Sequence, residues 1–322
     1  MKEKLDKIDM RLLYELDWNA RQPETALARK IKRSRETVRY RIAQLEKRGI
    51  ISGYPTWLNV SRLGYQAYKI YLKIGGSEKE RAEFFDELKK RTDLFWLGVA
   101  DGAWDVGLTF FSKDNREFFE NKNEIFARYG RIILQKFTGV AVVAYAYPKK
   151  VFYPEPQDYH YMFGRMGENE LDGTDRKILS ALFQDSRTKL VRLAAAAGTS
   201  VDIARGRMRR LEEKGIIVSY KAGIDYQKLG LEFYKAFLYF DSFPEEDEKR
   251  LFEMAKQDPN ILHVVTVIAP WDIELEIMVE NYQQYNAIIR RLKAEFPSLR
   301  NVESATMSGD YVFPAKGTIM KL

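Results

Sequence analysis

The chain has 322 residues, 45% of them hydrophobic and 31% charged, and a net charge of +7, enough apolar material for two or more cores and a mild bias toward a polyanionic partner. It contains no cysteine, which excludes a disulfide scaffold, a thiolate zinc site and a thiol nucleophile, and only two histidines, His160 and His263, which argues against a multi-histidine metal centre within one chain. No run approaches the roughly 18 apolar residues of a membrane span, and the charged stretch from Met1 to Ile8 lacks the apolar core of a signal peptide, so the expectation is a cytoplasmic protein with no membrane association.

The first 60 residues read as three short helices and a β-wing. Asp6 is placed to cap a helix whose apolar face is Leu12, Leu13 and Leu16. A second helix begins near Pro23 and buries Leu27, Ala28 and Ile31; Lys32-Arg33 makes a turn. Ser34 caps a third helix with Val38, Ile42 and Leu45 inward, Gly49 ends it, and Ile50–Tyr54 begins a wing. Two short helices joined tightly, the second with a polar outer face, form a helix-turn-helix.

From 61 to 150 the period changes to two. Ala67–Ile74 reads as a strand, Ser77–Arg91 as an amphipathic helix, and Leu94–Ala100 and Trp104–Phe111 as strands around Asp101-Gly102-Ala103. Asn115–Tyr129 is a second helix and Ile132–Tyr147 the last strand, giving a ferredoxin-like βαββαβ unit. The aromatic segment 151–170 is expected to link the halves while lying on the surface of a domain.

The rest of the chain repeats the first part. Leu5–Leu72 aligns with Leu171–Leu238 at a constant offset of 166 with 22 identities in 68 positions, where about 4 would arise by chance at ordinary residue frequencies. One inserted residue later, Ala103-Trp104-Asp105-Val106 matches Pro270-Trp271-Asp272-Ile273. The predicted second head is therefore 171–226 and the second body 227–322. The fold class is α+β: two winged helix-turn-helix domains and two ferredoxin-like αβ-sandwich domains. Each βαββαβ unit leaves one sheet face bare, which predicts an intramolecular pseudo-dimer of the bodies, with exchange into a homodimer or higher oligomer as the alternative.

The heads carry the excess charge. Leu5–Val60 has 12 basic against 7 acidic residues, +5, and Leu171–Tyr226 has 11 against 7, +4. Positive charge concentrated around a helix-turn-helix predicts double-stranded DNA as partner. The candidate contacts in the first head are Lys30, Lys32, Arg33, Ser34, Arg35, Arg39, Tyr40 and Arg41; in the second they are Ser200, Arg205, Arg207, Arg209 and Arg210. Arginines there can read guanine edges or pair with phosphates; Arg41 and Arg207 lie beside the buried row, where a structural role competes.

The pattern L-D-x-x-D (Leu5 to Asp9), R-x-R-I-x-x-L-E-x-x-G-I-I (Arg39 to Ile51), Leu63-Gly64 and G-x-W-D (Gly102 to Asp105) resembles the leucine-responsive regulatory protein/AsnC family of transcription regulators, here in tandem-duplicated form. The resemblance implies a sequence-specific DNA-binding regulator whose bodies dimerise through their sheets and take a small effector, frequently an amino acid, near the turn between body strands two and three. Carried over, the effector candidates are Asp101, Gly102, Trp104 and Asp105, with Trp271 and Asp272 in the second half. The second half departs from the pattern, reading Ala269-Pro270 where the first reads Gly102-Ala103, and its turn has no glycine. A turn-stabilising carboxylate beside a packing tryptophan is the competing reading of the W-D pair.

No catalytic residue, metal site or cofactor is expected, since no G-x-x-x-x-G-K, G-x-S-x-G or paired catalytic carboxylates stand out. Two alternatives share this framework. One is an enzyme of the siroheme decarboxylase kind, for which His263 would be the candidate although its counterpart in the first half falls near Trp96. The other is a regulator acting through protein partners.

Overall fold

Residues 3–155 and 158–312 are described by a computed structural model; Met1, Lys2 and 313–322, which close the first and last predicted domains, and two residues of the joining segment lie outside the described residues. In chain order the first head holds α1 (Lys7–Trp18), α2 (Glu24–Ile31), α3 (Arg35–Lys47), β1 (Ile51–Gly53) and β2 (Thr56–Leu58). The first body has β3 (Gln66–Ile74), α4 (Glu78–Lys90), β4 (Leu94–Gly102), β5 (Val106–Ser112), α5 (Asn115–Tyr129) and β6 (Ile133–Ala146). A strap with β7 (His160–Phe163) leads to the second head: α6 (Gly173–Gln184), α7 (Leu190–Ala197), α8 (Val201–Glu213), β8 (Ile217–Tyr220) and β9 (Gly223–Ile224). The second body has β10 (Glu232–Phe240), α9 (Glu245–Gln257), β11 (Ile261–Ile268), β12 (Ile273–Val279), α10 (Tyr282–Glu295) and β13 (Leu299–Val312).

The helix boundaries follow from local chemistry. Asp6 accepts hydrogen bonds from the amides of Ile8 and Asp9, and Asp172 accepts from Thr174 and Asp175, so each first helix starts on a carboxylate that satisfies its orphan donors. Ser34 and Ser200 do the same for α3 and α8, accepting from Thr37 and Ile203. Gly49 and Gly215 follow α3 and α8 at φ +66° and +65°, a left-handed conformation that glycine reaches without penalty. The apolar rows predicted for the first head, Leu12, Leu13, Leu16, Leu27, Val38, Ile42 and Leu45, are buried in one core.

The wings depart from the simple expectation. β1 does not fold back on β2; it pairs with β9 of the other head, and β2 pairs with β8. Tyr54-Pro55 between β1 and β2 leaves the chain running on, and the proline supplies no amide for a tight hairpin. The exchange is reciprocal. Ala20 N–H donates to Tyr220 O and Ser186 N–H to Tyr54 O; Asn59 N–H donates to Ile216 O and Asp225 N–H to Ile50 O. Each pair is related by the 166-residue offset, so the heads are locked about a pseudo-twofold axis.

Within the chain the two bodies join through the edges of their sheets. Each half has the strand order 4-1-3-2, β6-β3-β5-β4 and β13-β10-β12-β11. β13 also pairs with β4, and β6 with β11, so eight antiparallel strands close into a ring. Even positions of β3 pack outward with Phe84 and Leu88 of α4; odd positions face the interior, as the period of two requires. In eight-stranded barrels side chains fill the interior. Here Tyr71, Trp104, Phe237 and Trp271 do so, with Trp104 and Trp271 ring centroids 6.1 Å apart.

The joining segment packs along the domains, with Phe152 and Phe163 enclosed and Tyr159 and Met166 exposed. Tyr147, Lys149, Lys150, Phe152 and Phe163 are buried, and β7 extends the sheet beside β6. His160 stacks on Trp18 with ring centroids 4.0 Å apart; burial, helped by the nearby Lys221 charge, lowers its pKa from 6.5 to about 4. A histidine that charges less readily when folded stabilises fully above pH 6.5, and that stability is lost as pH falls through the folded value. The expected result is about 3 kcal/mol lost between pH 7 and 4 in wild type beyond that lost by His160→Gln, measured by denaturant titration. Parallel pH profiles would show that His160 does not control the strap.

Candidate nucleic-acid interface

The outer face of each helix-turn-helix is built by the end of the second helix, the turn and the third helix. In the first head Arg29, Lys32, Arg33 and Arg35 are exposed and enter no ion pair with a described residue; Arg33 donates to Lys32 O at 2.8 Å. Lys30 Nζ lies 2.5 Å from Glu15, and Arg39 Nη2 2.8 Å from Glu24. Tyr40 is 63% exposed. Arg41 points back into the head and pairs with Asp6 and Asp9. Together with the cap made by Ser34, this leaves Lys32, Arg33, Arg35 and Tyr40 as the side chains presented outward without a carboxylate partner.

The second head differs in charge state rather than fold. Arg207 pairs with Asp172 and Asp175, and Arg210 with Asp175. Arg205 pairs with Asp202 across one helical turn, and Arg209 Nε lies 2.8 Å from Glu213. Ser200 is used as the cap. Every arginine singled out in this head thus touches a carboxylate of its own chain, although exposed pairs such as Arg209–Glu213 hold weakly and can be exchanged for a phosphate.

The predicted effector residues occupy places in the barrel. Trp104 and Trp271 are buried in its aromatic plug. Asp105 accepts from the Ile74 amide at 2.8 Å and from Lys73 at 2.9 Å; Asp272 accepts from the Phe240 amide at 2.8 Å, the equivalent bond of the second half. Both aspartates thus satisfy an amide where the first body strand ends, which is the turn-stabilising role. Asp101 and Gly102 lie in the β4–β13 seam, opposite Thr306 and Ala305.

The structure also brings together charged side chains that no motif marked. Lys69 and its counterpart Lys235 both point into the barrel, and Glu274, fully buried, lies 2.5 Å from the first and 3.2 Å from the second. Lys235 also pairs with Glu276 at 2.8 Å, and Glu276 holds His263 Nδ1. Burial alone would raise the Glu274 pKa; the two ammonium groups outweigh it and hold it below the ordinary carboxylate range. A second cluster joins both heads to the strap: Asp17 of α1 pairs with Lys149 and, at 3.4 Å, with Lys221. Burial pushes Lys221 down to about 8.

Between these clusters lies a cavity of about 110 Å³, lined among others by Trp57 of a wing, Lys149 and Met162 of the strap, Trp96 and His263. Counterpart positions of the two halves, Lys69 with Lys235 and Trp96 with His263, line it together, so it sits on the pseudo-twofold axis. The signal available in the sequence was a lysine at an inward position of a buried strand, repeated at Lys69 and Lys235. Among the described residues no group of three or more metal-ligating side chains could hold a metal, and no helix is long and apolar enough to cross a membrane.

Comparison with known proteins places each half separately. A family model described as winged helix-turn-helix DNA-binding matches residues 5–52, and an AsnC-type helix-turn-helix domain model matches 171–212. The chain is 28% identical over 137 residues to the DNA-binding transcriptional activator DecR of Escherichia coli, covering 42% of this chain and 90% of that protein. It is 30% identical over 138 residues to an uncharacterized HTH-type transcriptional regulator of Pyrococcus abyssi, covering 42% and 85%. A solved structure, the siroheme decarboxylase NirDL, matches 98% of both chains with a TM-score of 0.64 at 10% identity, a likeness of fold over both halves.

Proposed function

Because the chain belongs to the leucine-responsive regulatory protein/AsnC family of helix-turn-helix transcriptional regulators, we propose that it is a cytoplasmic, sequence-specific regulator that holds double-stranded DNA with heads preassembled in one polypeptide. The observation that carries this reading is the cluster of exposed, unpaired basic residues on the first helix-turn-helix, set at a fixed distance from the second by the exchanged wings. A homodimeric regulator must first associate; here the pairing is covalent, so no translational entropy is lost in assembling the two heads.

Roughly five phosphates neutralised by such a surface would lower affinity about 10²- to 10³-fold between 50 and 200 mM salt. Genomic footprinting of the purified protein at increasing salt tests this. Protected sites at 50 mM that fade with that slope are expected; no protected site at 50 mM overturns the reading.

For the effector, the axial cavity suits the part better than the W-D turns, whose aspartates are already satisfied by the fold. It touches a wing, the strap and both bodies, so a compact, amino-acid-sized ligand there would act on the heads. Repeating the footprints with an amino-acid mixture reads this out. A second reading, an enzyme, is favoured by the full-length likeness to a siroheme decarboxylase and by the His263–Glu276 pair beside the cavity. The cavity's volume of about 110 Å³ suits a compact ligand better than a tetrapyrrole, and a pocket of about 830 Å³ that shares Tyr226, Phe233 and Asp310 with it offers more room.

A further inference from the structure

The two heads share a backbone, so their outer faces can be compared position by position. At the constant offset of 166, Arg29, Lys30, Lys32, Arg33 and Arg35 of the first head correspond to Ala195, Ala196, Gly198, Thr199 and Val201 of the second. These positions run from the end of the second helix through the turn to the first residue of the third, the stretch that meets the duplex when a recognition helix enters the major groove. Five positive charges at these positions have five neutral counterparts. Elsewhere the second head carries Lys189, Arg192, Arg209 and Arg210 where the first has Pro23, Ala26, Ala43 and Gln44, so the contrast lies at the turn and the start of the third helix and not in total charge. Tyr40, standing out from α3, corresponds to Gly206, which has open space where a side chain would be.

A backbone observation points the same way. Lys32 has φ +54°, the non-glycine residue with positive φ among the described residues; its counterpart Gly198 has φ +66°. That turn needs a left-handed residue, which glycine supplies without steric cost and lysine does not. The first head carries the strained lysine, which keeps a charge at the turn. The arginines that remain on α8 are each engaged by a carboxylate of the same chain.

We infer that base readout is confined to the first head, through Arg33, Arg35 and Tyr40 with Lys32 and Arg29 on the flanking phosphates, and that the second head sets position without reading sequence. Arginine is the side chain suited to guanine O6 and N7, and each such bidentate contact discriminates strongly between bases. The sequence recognised by one chain is therefore a single unrepeated element, and a palindrome would engage two chains. This rests on the DNA-binding reading above.

The test selects duplexes from a random pool on the full chain at low salt. Wild type should enrich one element without an inverted partner at fixed spacing. Arg33→Thr with Arg35→Val, which gives the first head the residues of the second, should abolish the enriched element and lower affinity for it about 100-fold. Thr199→Arg with Val201→Arg should add a second element at fixed spacing. Lys32→Gly should raise Tm while weakening DNA binding, which separates the strain from the charge. A two-part element occupied by a single wild-type chain, or an element that survives the Arg33→Thr, Arg35→Val exchange, overturns the inference while leaving DNA binding intact. Retention of no DNA by wild type overturns both.

Discussion

Glu274→Ala is expected to destabilise the protein by about 3–5 kcal/mol, the cost typical of removing one partner from a buried ion pair. Glu274 is fully buried between Lys69 and Lys235, and its other oxygen accepts a hydrogen bond from Trp271 Nε1 at 3.3 Å. Without the carboxylate, Lys69 loses its ion-pair partner and keeps only the more distant Glu276, which Lys235 and His263 already engage, with a second ammonium in the same ring. Burial already lowers the Lys69 pKa, so in the variant it would release its proton rather than remain charged. Lys235 keeps Glu276, and the loss falls on one lysine. The combination Glu274→Ala with Lys69→Met should recover most of the stability, because a well-packed apolar pair replaces a buried ionic one at little cost. Chemical denaturation of the three proteins measures it. A single variant within 1 kcal/mol of wild type, on this order-of-magnitude scale, would mean that water reaches the barrel interior.

The second large effect is expected at the barrel seams. Gly102 has φ +123°, and a Cβ there would lie 2.4 Å from Ser304 O of β13. At the other seam the counterpart of Gly102 is Ala269, and the missing Cβ is found across the seam, at Gly139, where it would lie 2.8 Å from Ile268 O. The opposing residue at the first seam, Ala305, is in turn the counterpart of Gly139. Each seam thus holds one glycine and one alanine, with the glycine on opposite strands. Gly102→Ala combines a left-handed backbone with a clash against main chain, and should cost about 3 kcal/mol or more. Gly139→Ala, without the φ penalty, should cost about 1–3 kcal/mol, the range for overpacking. Thermal and denaturant unfolding of both variants measures this, and equal small losses would show that the seams open freely.

The seam also explains why the second turn departs from the G-x-W-D pattern. In the sequence Ala269-Pro270 stands only as a departure, a turn with no glycine. In the ring the pattern glycine is room for a neighbouring strand, and the second half finds the same room on the other strand. Likewise Asp105 and Asp272 occupy their motif positions because they satisfy the amides of Ile74 and Phe240. A motif taken from local spacing carried a structural role that appears only when the paired strand is in place.

What the sequence determined by itself was everything that depends on short-range order. The caps at Asp6, Ser34, Asp172 and Ser200, the apolar rows of the heads, the alternation of the body strands and the repeat at offset 166 are local patterns, and the predicted elements form where those patterns lie. The bare sheet faces also predicted a pairing of the bodies, and the join within the chain runs through sheet edges. Tertiary structure alone decided which strands exchange between wings, that the eight body strands close into a ring, and that the strap adds a strand beside β6 and encloses Phe152 and Phe163. It also decided which arginines are free: the sequence left a structural role open for Arg41 and Arg207 beside the buried row, and packing brings Asp6 and Asp9 to the first, Asp172 and Asp175 to the second, and Asp175 to Arg210 as well. Ion pairs between residues 32 or more positions apart, and lysines buried from two halves onto one glutamate, depend on distances that no periodicity encodes.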